Sequence, residues 1–429
     1  SDQAVFTGID DGVKDKTINL KLKDNAKKGY FGKAEAGTDF SNYYNNSLMA
    51  NAFKGKRKLA AYGIMSNTGQ TNLDWQDSRN YGSDDNTTME MEDGGIYITR
   101  SGDEDSYYNG RGGIPKNWNG GLHYSNKFNN NKQSFNSGYK ITKVNSPSGE
   151  RNYTTNFTGD SSYNSNSVTD GFSSKIKQSL NLTFETNIDS ANSLKFTAKG
   201  NLNNTKSNSN YTQQSISDKQ IPINDITRRT NSNTDNSSIN SNLLWKHKFK
   251  KTARTLTVNV NYSIVGSNGE TFLYSKNNYF KNGLPDNNDT TDQKNLKDNQ
   301  TNTFTGNITY TEPLSKTLFL SFTYLYSVAT NQNDRLSFTK DINAKYTNKI
   351  DSLSNSYLFK QTTNRPGVSL RMVKKKYNFS IGSSLSISNF KQDNRTTNLV
   401  RKYNFTNFFP TASLYIKLPG YAGIRFNYN

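Results

Sequence analysis

Apolar and polar residues alternate over several separate stretches of the chain. From Thr255 to Ile264 the apolar residues Leu256, Val258, Val260, Tyr262 and Ile264 take every second position, with Thr255, Thr257, Asn259, Asn261 and Ser263 between them. Successive side chains of a β-strand point to opposite faces, so this stretch predicts a strand with one greasy face and one small, uncharged, polar face. The pattern recurs. Leu194, Phe196, Ala198, Gly200 and Leu202 alternate with Lys195, Thr197, Lys199, Asn201 and Asn203, and Leu318, Leu320, Phe322 and Tyr324 form another apolar row. Further rows lie in 180–185, 303–310, 377–387 and 411–416. None shows the spacing near 3.6 that an amphipathic helix needs.

The connections are of two kinds. Short turns are predicted at 54–58, 129–132, 189–193, 249–253, 312–316, 373–376 and 419–423. Long polar loops are predicted between them, at 66–116, 145–172, 204–237, 266–301, 329–360 and 389–403. After the first interval the short turns recur about every 60 residues, and the repeat is one of architecture, not of sequence. Short turns at one end and long loops at the other are the organisation of an all-β, antiparallel transmembrane β-barrel, with short periplasmic turns and long extracellular loops. A sandwich distributes its connections less one-sidedly. Hairpins counted from residue 28 give about fifteen strands. An odd count leaves two open edges, which lipid does not tolerate, so the chain is expected to be a fragment of a longer one.

Composition changes the picture in two ways. Hydrophobic residues are only 31% of the 429 residues, a level common in disordered chains, but aromatics are 12%, which disorder does not explain. Half-polar strands reconcile the two. There is no cysteine, which removes disulfides, thiolate metal sites and thiol nucleophiles, and only His123 and His247 carry imidazoles. No GxSxG, HExxH or phosphate-binding loop is present, so neither an enzyme activity nor a cofactor is expected. The net charge of +19 admits nucleic acid, anionic lipid or acidic polysaccharide as a partner. Many of the cations sit in short turns, among them Lys54, Lys56, Arg57, Lys58 and Lys374, Lys375, Lys376. That placement suits side chains snorkelling at a membrane boundary better than a nucleic-acid stripe.

Asp2-Gln3-Ala4-Val5-Phe6-Thr7-Gly8 running into Lys16-Thr17-Ile18-Asn19-Leu20-Lys21-Leu22-Lys23 resembles the end of the plug domain in TonB-dependent receptor-like outer-membrane proteins of Bacteroidota. The following Lys28-Gly29-Tyr30-Phe31-Gly32-Lys33-Ala34-Glu35-Ala36-Gly37 resembles their first barrel strand. Trp245-Lys246-His247-Lys248-Phe249, Tyr310-Thr311-Glu312-Pro313-Leu314 and Asn407-Phe408-Phe409-Pro410-Thr411 are similar too. The resemblance implies that residues 1–27 close a plug and that 28–429 form the first part of a 22-stranded barrel whose remaining strands lie outside this sequence. It also implies gated uptake of a large nutrient, a TonB-type energy-coupling protein as partner, a surface lipoprotein as a further candidate partner, and outer-membrane lipid and lipopolysaccharide around the barrel. The contrasting expectation is a secreted, Asn-rich β-protein acting as an adhesin or surface-binding module.

Candidate residues follow. Leu256, Val258, Val260, Tyr262, Ile264, Leu318, Leu320, Phe322 and Tyr324 are expected to face the membrane, with Trp118, Trp245 and Tyr377 in interfacial girdles. The 66–116 loop is expected to fold over the outer mouth and touch substrate through Trp75, Tyr97, Tyr107 and Tyr108. Its carboxylates, Asp84, Asp85, Glu90, Glu92, Asp93, Asp103, Glu104 and Asp105, have the oxygen chemistry of a Ca²⁺ site but no EF-hand order, so a solvated acidic loop and no metal is the better expectation. His123 falls on the polar face of its strand, where a lumenal hydrogen bond is expected.

Overall fold

The computed structural model describes residues 28–70, 87–92, 95–100, 113–159, 161–374, 376–418 and 423–428. The plug assigned to 1–27 lies outside the described residues. The chain is β throughout. Its first strands are β1 (Lys28–Thr38), β2 (Tyr44–Lys54) and β3 (Arg57–Ser66), followed by a hairpin of β4 (Thr87–Glu92) and β5 (Gly95–Arg100). Then come β6 (Lys116–Phe128), β7 (Gln133–Thr158), β8 (Ser161–Asn187), β9 (Asn192–Ser217), β10 (Pro222–Lys248) and β11 (Thr255–Lys281). The remainder is β12 (Leu284–Pro313), β13 (Leu318–Lys340), β14 (Tyr346–Lys349), β15 (Asn355–Val373), β16 (Tyr377–Asn394), β17 (Leu399–Lys417) and β18 (Gly423–Tyr428).

One 16-stranded antiparallel sheet holds all of these except β4 and β5, which pair only with each other. Along it each strand pairs with the strand that follows it in the sheet, from β1 to β18, while β14 pairs β13 to the side. The sheet is open: among the described residues β1 pairs only β2, and β18 pairs only β17.

The alternating stretches are strands as the pattern predicts, and the expected short turns from 54–58 to 312–316 fall between consecutive strands of the sheet, while residue 375 and most of 419–423 lie outside the described residues. The expected long loops are a correction. The segments 145–172, 204–237 and 266–301 are ladder nearly throughout, and 389–403 is interrupted only by a four-residue turn. β7 and β8 stay in register from Gln133↔Thr186 to Thr158↔Ser161. The segment 329–360 keeps an irregular piece, with β14 and the short 3₁₀ turn Asp351–Leu353 between β13 and β15, and most of 66–116 lies outside the described residues. Polar residues on both faces erase the alternation without weakening the ladder, because interstrand hydrogen bonds are made by the backbone. Asn282 and Gly283 close the β11–β12 hairpin with positive φ at both positions (53° and 82°), the conformation a two-residue hairpin turn requires.

Burial is inverted relative to a water-soluble sheet. Large apolar side chains are exposed, such as Leu122 at 56% and Phe322 at 50%, while Asn119 and Asn259 are buried at 1% and 5%. We call the enclosed face inner and the other outer. One small apolar cluster, Met49, Ala60, Tyr62 and Ile64, is buried on the inner face of β2 and β3.

Candidate functional site

The registers join the apolar positions of separate strands into continuous rows on the outer face. Residues directly opposite in an antiparallel pair share a face. Phe135, Phe184, Phe196, Leu243, Val260, Gly306 and Tyr326 therefore form one row across β7 to β13. Leu256, Val258, Val260, Tyr262 and Ile264 all fall on this outer face, as do Leu318, Leu320, Phe322 and Tyr324 opposite Met372, Leu370, Val368 and Pro366. Tyr262 and Tyr324 are exposed at 42% and 44%. The rows run from the short turns to about Ile264. Above that level the outer positions of β11 turn polar, with Gly266, Asn268 and Glu270. At about 3.4 Å per residue, the apolar stretch of β11 spans about 30 Å along the strand, the length of a membrane-crossing β-strand.

The inner face at the same level is a mesh of amides and hydroxyls. Asn242 Nδ2 donates to Asn259 Oδ1 at 2.6 Å and to Asn261 Oδ1 at 2.5 Å. Hydroxyl pairs join Thr305 to Ser327 at 3.0 Å, Thr311 to Ser321 at 3.1 Å, and Ser380 to Ser413 at 3.1 Å. Asn119 Oδ1 accepts from Tyr62 Oη at 3.1 Å and Thr142 Oγ1 at 3.2 Å. His123 lies buried on this face, as its position in the strand predicts.

The outer face is trimmed with rings. Tyr377 stands at the short-turn end and Trp245 a few residues above it, while Trp118 stands at the far end of the β6 row, 46% exposed. The short-turn end also holds a constellation that sequence reasoning missed. His247 stacks on Trp245 with ring centres 5.8 Å apart and meets the edge of Phe249 at 4.6 Å, and its Nδ1 lies 2.8 Å from Asn192 Oδ1. Phe249 meets Tyr310 at 6.0 Å. Tyr310 Oη donates to Glu312 Oε2 at 2.7 Å, and Glu312 also accepts from Arg254 Nε at 2.7 Å and Lys251 Nζ at 2.6 Å. The signal was present in the spacing: Trp245, His247 and Phe249 share one parity across the start of a short turn.

Other expectations fall outside what the structure describes. Trp75, Tyr107 and Tyr108 lie outside the described residues, as do most of the loop carboxylates. Tyr97 is placed on β5, opposite Glu90 of β4, in a hairpin separate from the main sheet. Among the described residues no group of three or more His, Asp or Glu side chains is placed to hold a metal.

Residues 247–429 match the model of a family described as an outer membrane protein beta-barrel family. That stretch runs from the end of β10 through β18 and includes the outer rows of β11 to β17. No curated protein matches the chain. The exposed apolar rows, the enclosed polar mesh and this match together locate the protein in the bacterial outer membrane as an all-β, barrel-type wall.

Proposed function

We propose that the chain forms the wall of a gated transporter that carries a large nutrient across the outer membrane, in the manner of a TonB-dependent receptor. The observation that carries this is the sorting of side chains. A belt of apolar rows faces outward, where lipid and lipopolysaccharide would lie, and a mesh of Asn, Ser and Thr faces a wet interior. Such a wall binds and passes solute without making or breaking covalent bonds. An energy-coupling partner of TonB type would supply the work, and a surface lipoprotein would be the natural capturing partner. Trp75, Tyr97, Tyr107 and Tyr108, in the segment between β3 and β6, would meet the solute at the outer mouth.

The test is uptake. Cells lacking this protein, and cells lacking the energy-coupling protein, are fed one mixed pool of oligosaccharides, peptides and metal chelates. Loss of the same solute from both strains is the expected result. A pool consumed at wild-type rates by cells lacking this protein sinks the proposal. Deleting residues 84–108 is expected to slow uptake of that solute, and an unchanged rate removes the loop's role. Recovery of the protein as a detergent-free soluble monomer would favour a secreted binding module instead.

A further inference from the structure

At one level the two faces of the sheet differ in charge as well as in polarity. Just beyond the apolar belt, one hydrogen-bonded row on the inner face contains Lys175, Thr205, Thr234, Gly269, Lys297 and Arg335. The neighbouring row on the outer face, one residue closer to the belt, contains Asn204, Asp235, Asn268, Asp298 and Asp334. A second inner row begins at Lys140, passes through Asn201, Val265 and Asn331, and ends at Arg401, and it holds no acid.

The register responsible for this pairs like with like. Lys297 lies directly opposite Arg335, and Asp298 directly opposite Asp334. Like charges facing each other across a ladder are unfavourable, with Cβ atoms about 5 Å apart. A shift of one residue either way would set a base opposite an acid, Lys297 opposite Asp334 or Asp298 opposite Arg335, and the observed register does neither. Asp334 is instead held by neutral donors, Ser356 Oγ at 2.5 Å and Gln332 Nε2 at 2.7 Å, and Asp235 by Asn204 Nδ2 at 2.7 Å. Lys297 and Arg335 remain exposed on the inner face. Two other outer-face acids are matched by bases on that face, Glu270 by Lys294 at 3.2 Å and Asp292 by Lys340 at 2.7 Å.

We propose that this inner collar is an anion-selecting filter, and that the solute carried through the wall is a polyanion bearing several carboxylate, sulfate or phosphate groups. The inference rests on the transport reading above and names its substrate class. A row of cations with no acid among them concentrates anions within about a Debye length, roughly 8–10 Å at ordinary salt. The separated positions of Lys175, Lys297, Arg335 and Arg401 suit several charges on one chain better than a single small anion.

The test uses the intact protein reconstituted into lipid vesicles and floated on a density gradient, so that insertion is read in the same sample. Two probes of equal length are compared by equilibrium binding: hexagalacturonate, with six carboxylates, and neutral maltohexaose. Insertion with at least 10-fold tighter binding of the acidic probe, weakening as salt rises, is expected. The double variant Lys297→Gln/Arg335→Gln is expected to lose at least 5-fold of that binding, and the outer-face variant Asp298→Asn/Asp334→Asn less than 2-fold. Inserted protein that binds both probes equally or neither, or that responds alike to the two double variants, overturns the filter while the membrane wall stands. Protein that stays out of the vesicles overturns the membrane reading and the filter with it.

Discussion

The lower part of β11, residues 255–264, and its upper part, 265–281, share one continuous ladder with β12 yet are fixed in different ways. In the lower part the outer side chains are Leu256, Val258, Val260, Tyr262 and Ile264, and their surroundings decide which way they point. In the upper part the outer side chains are held by one another. Glu270 pairs with Lys294, whose ammonium lies 5.2 Å from the centre of the Phe272 ring, and Phe272 meets Tyr346 at 5.5 Å. Tyr346 Oη donates to Asp292 at 2.5 Å, and Lys340 pairs with Asp292 at 2.7 Å. A strand in hydrocarbon is oriented by its solvent, and a strand in water by its neighbours.

The largest way to break this contrast is to place a charge on each part. Val260→Arg, in the middle of the belt, is expected to cost about 2–4 kcal/mol of stability in vesicles, measured by denaturant unfolding. Asn268→Arg, on the same face above the belt, is expected to stay within about 0.5 kcal/mol. Equal costs would mean that the belt does not meet lipid.

Glycines sharpen the contrast through packing. A Cβ at Gly382, at belt level, would lie 2.8 Å from both Val368 O and Ser369 Cβ, whereas one at Gly269, above the belt, would lie 3.1 Å from Thr234 Oγ1. Gly382→Ala is expected to cost about 1–3 kcal/mol, and Gly269→Ala less, in the same unfolding measurement. The reverse order would show that the upper ladder is the tighter one.

A smaller effect tests whether the upper cluster holds its own region. Tyr346→Phe removes one hydrogen bond, at about 1 kcal/mol. Amide exchange is expected to speed up in 270–296 and 336–346 and to stay unchanged in 255–264. Faster exchange in the belt would show that the two parts are not independent.

The smallest effect is pH dependence at the turns, which lie outside the belt at both ends. The Asn192 side-chain amide and the Ala191 N–H hold the Asp189 carboxyl below the ordinary range. At the opposite end the Lys345 N–H and the Thr347 hydroxyl do the same for Asp341. A lowered carboxyl contributes stability above its unfolded value, about 3.9, and loses it as pH falls through the lowered one. Exchange at Ala191, Asn192 and Lys345 is therefore expected to rise only below about pH 4, and Asp341→Asn to remove the change at Lys345. A rise at neutral pH would contradict the assignment.

What the sequence made legible follows the same division. Alternation located the lower strands, and the gaps between them located the short turns among the described residues. It could not locate the upper strands, because Asn, Ser and Thr on both faces carry no period and the ladder that orders them is backbone. The Asn282-Gly283 dipeptide did carry a hairpin signal inside what read as a loop. Alternation also told which residues of a lower strand share a face, as Leu256, Val258, Val260, Tyr262 and Ile264 do. The charge sorting was only half so: Lys195 and Lys199 stood at polar positions of an alternating stretch, but the facing of Lys297 with Arg335 depends on a register between two strands. A shift of one residue would have reversed every face.

The order of strands in the sheet carries a consequence for how the wall is made. Because each strand pairs with the next one in the sheet, with only the β4–β5 hairpin and β14 set aside, almost all pairing is between chain neighbours. The wall can therefore be laid down one hairpin at a time, with a single growing edge that each new strand covers as it arrives. Contact order stays low despite the size of the sheet, since no strand waits for a distant partner. A machine that assists assembly would need to chaperone that moving edge and the standing edge of β1.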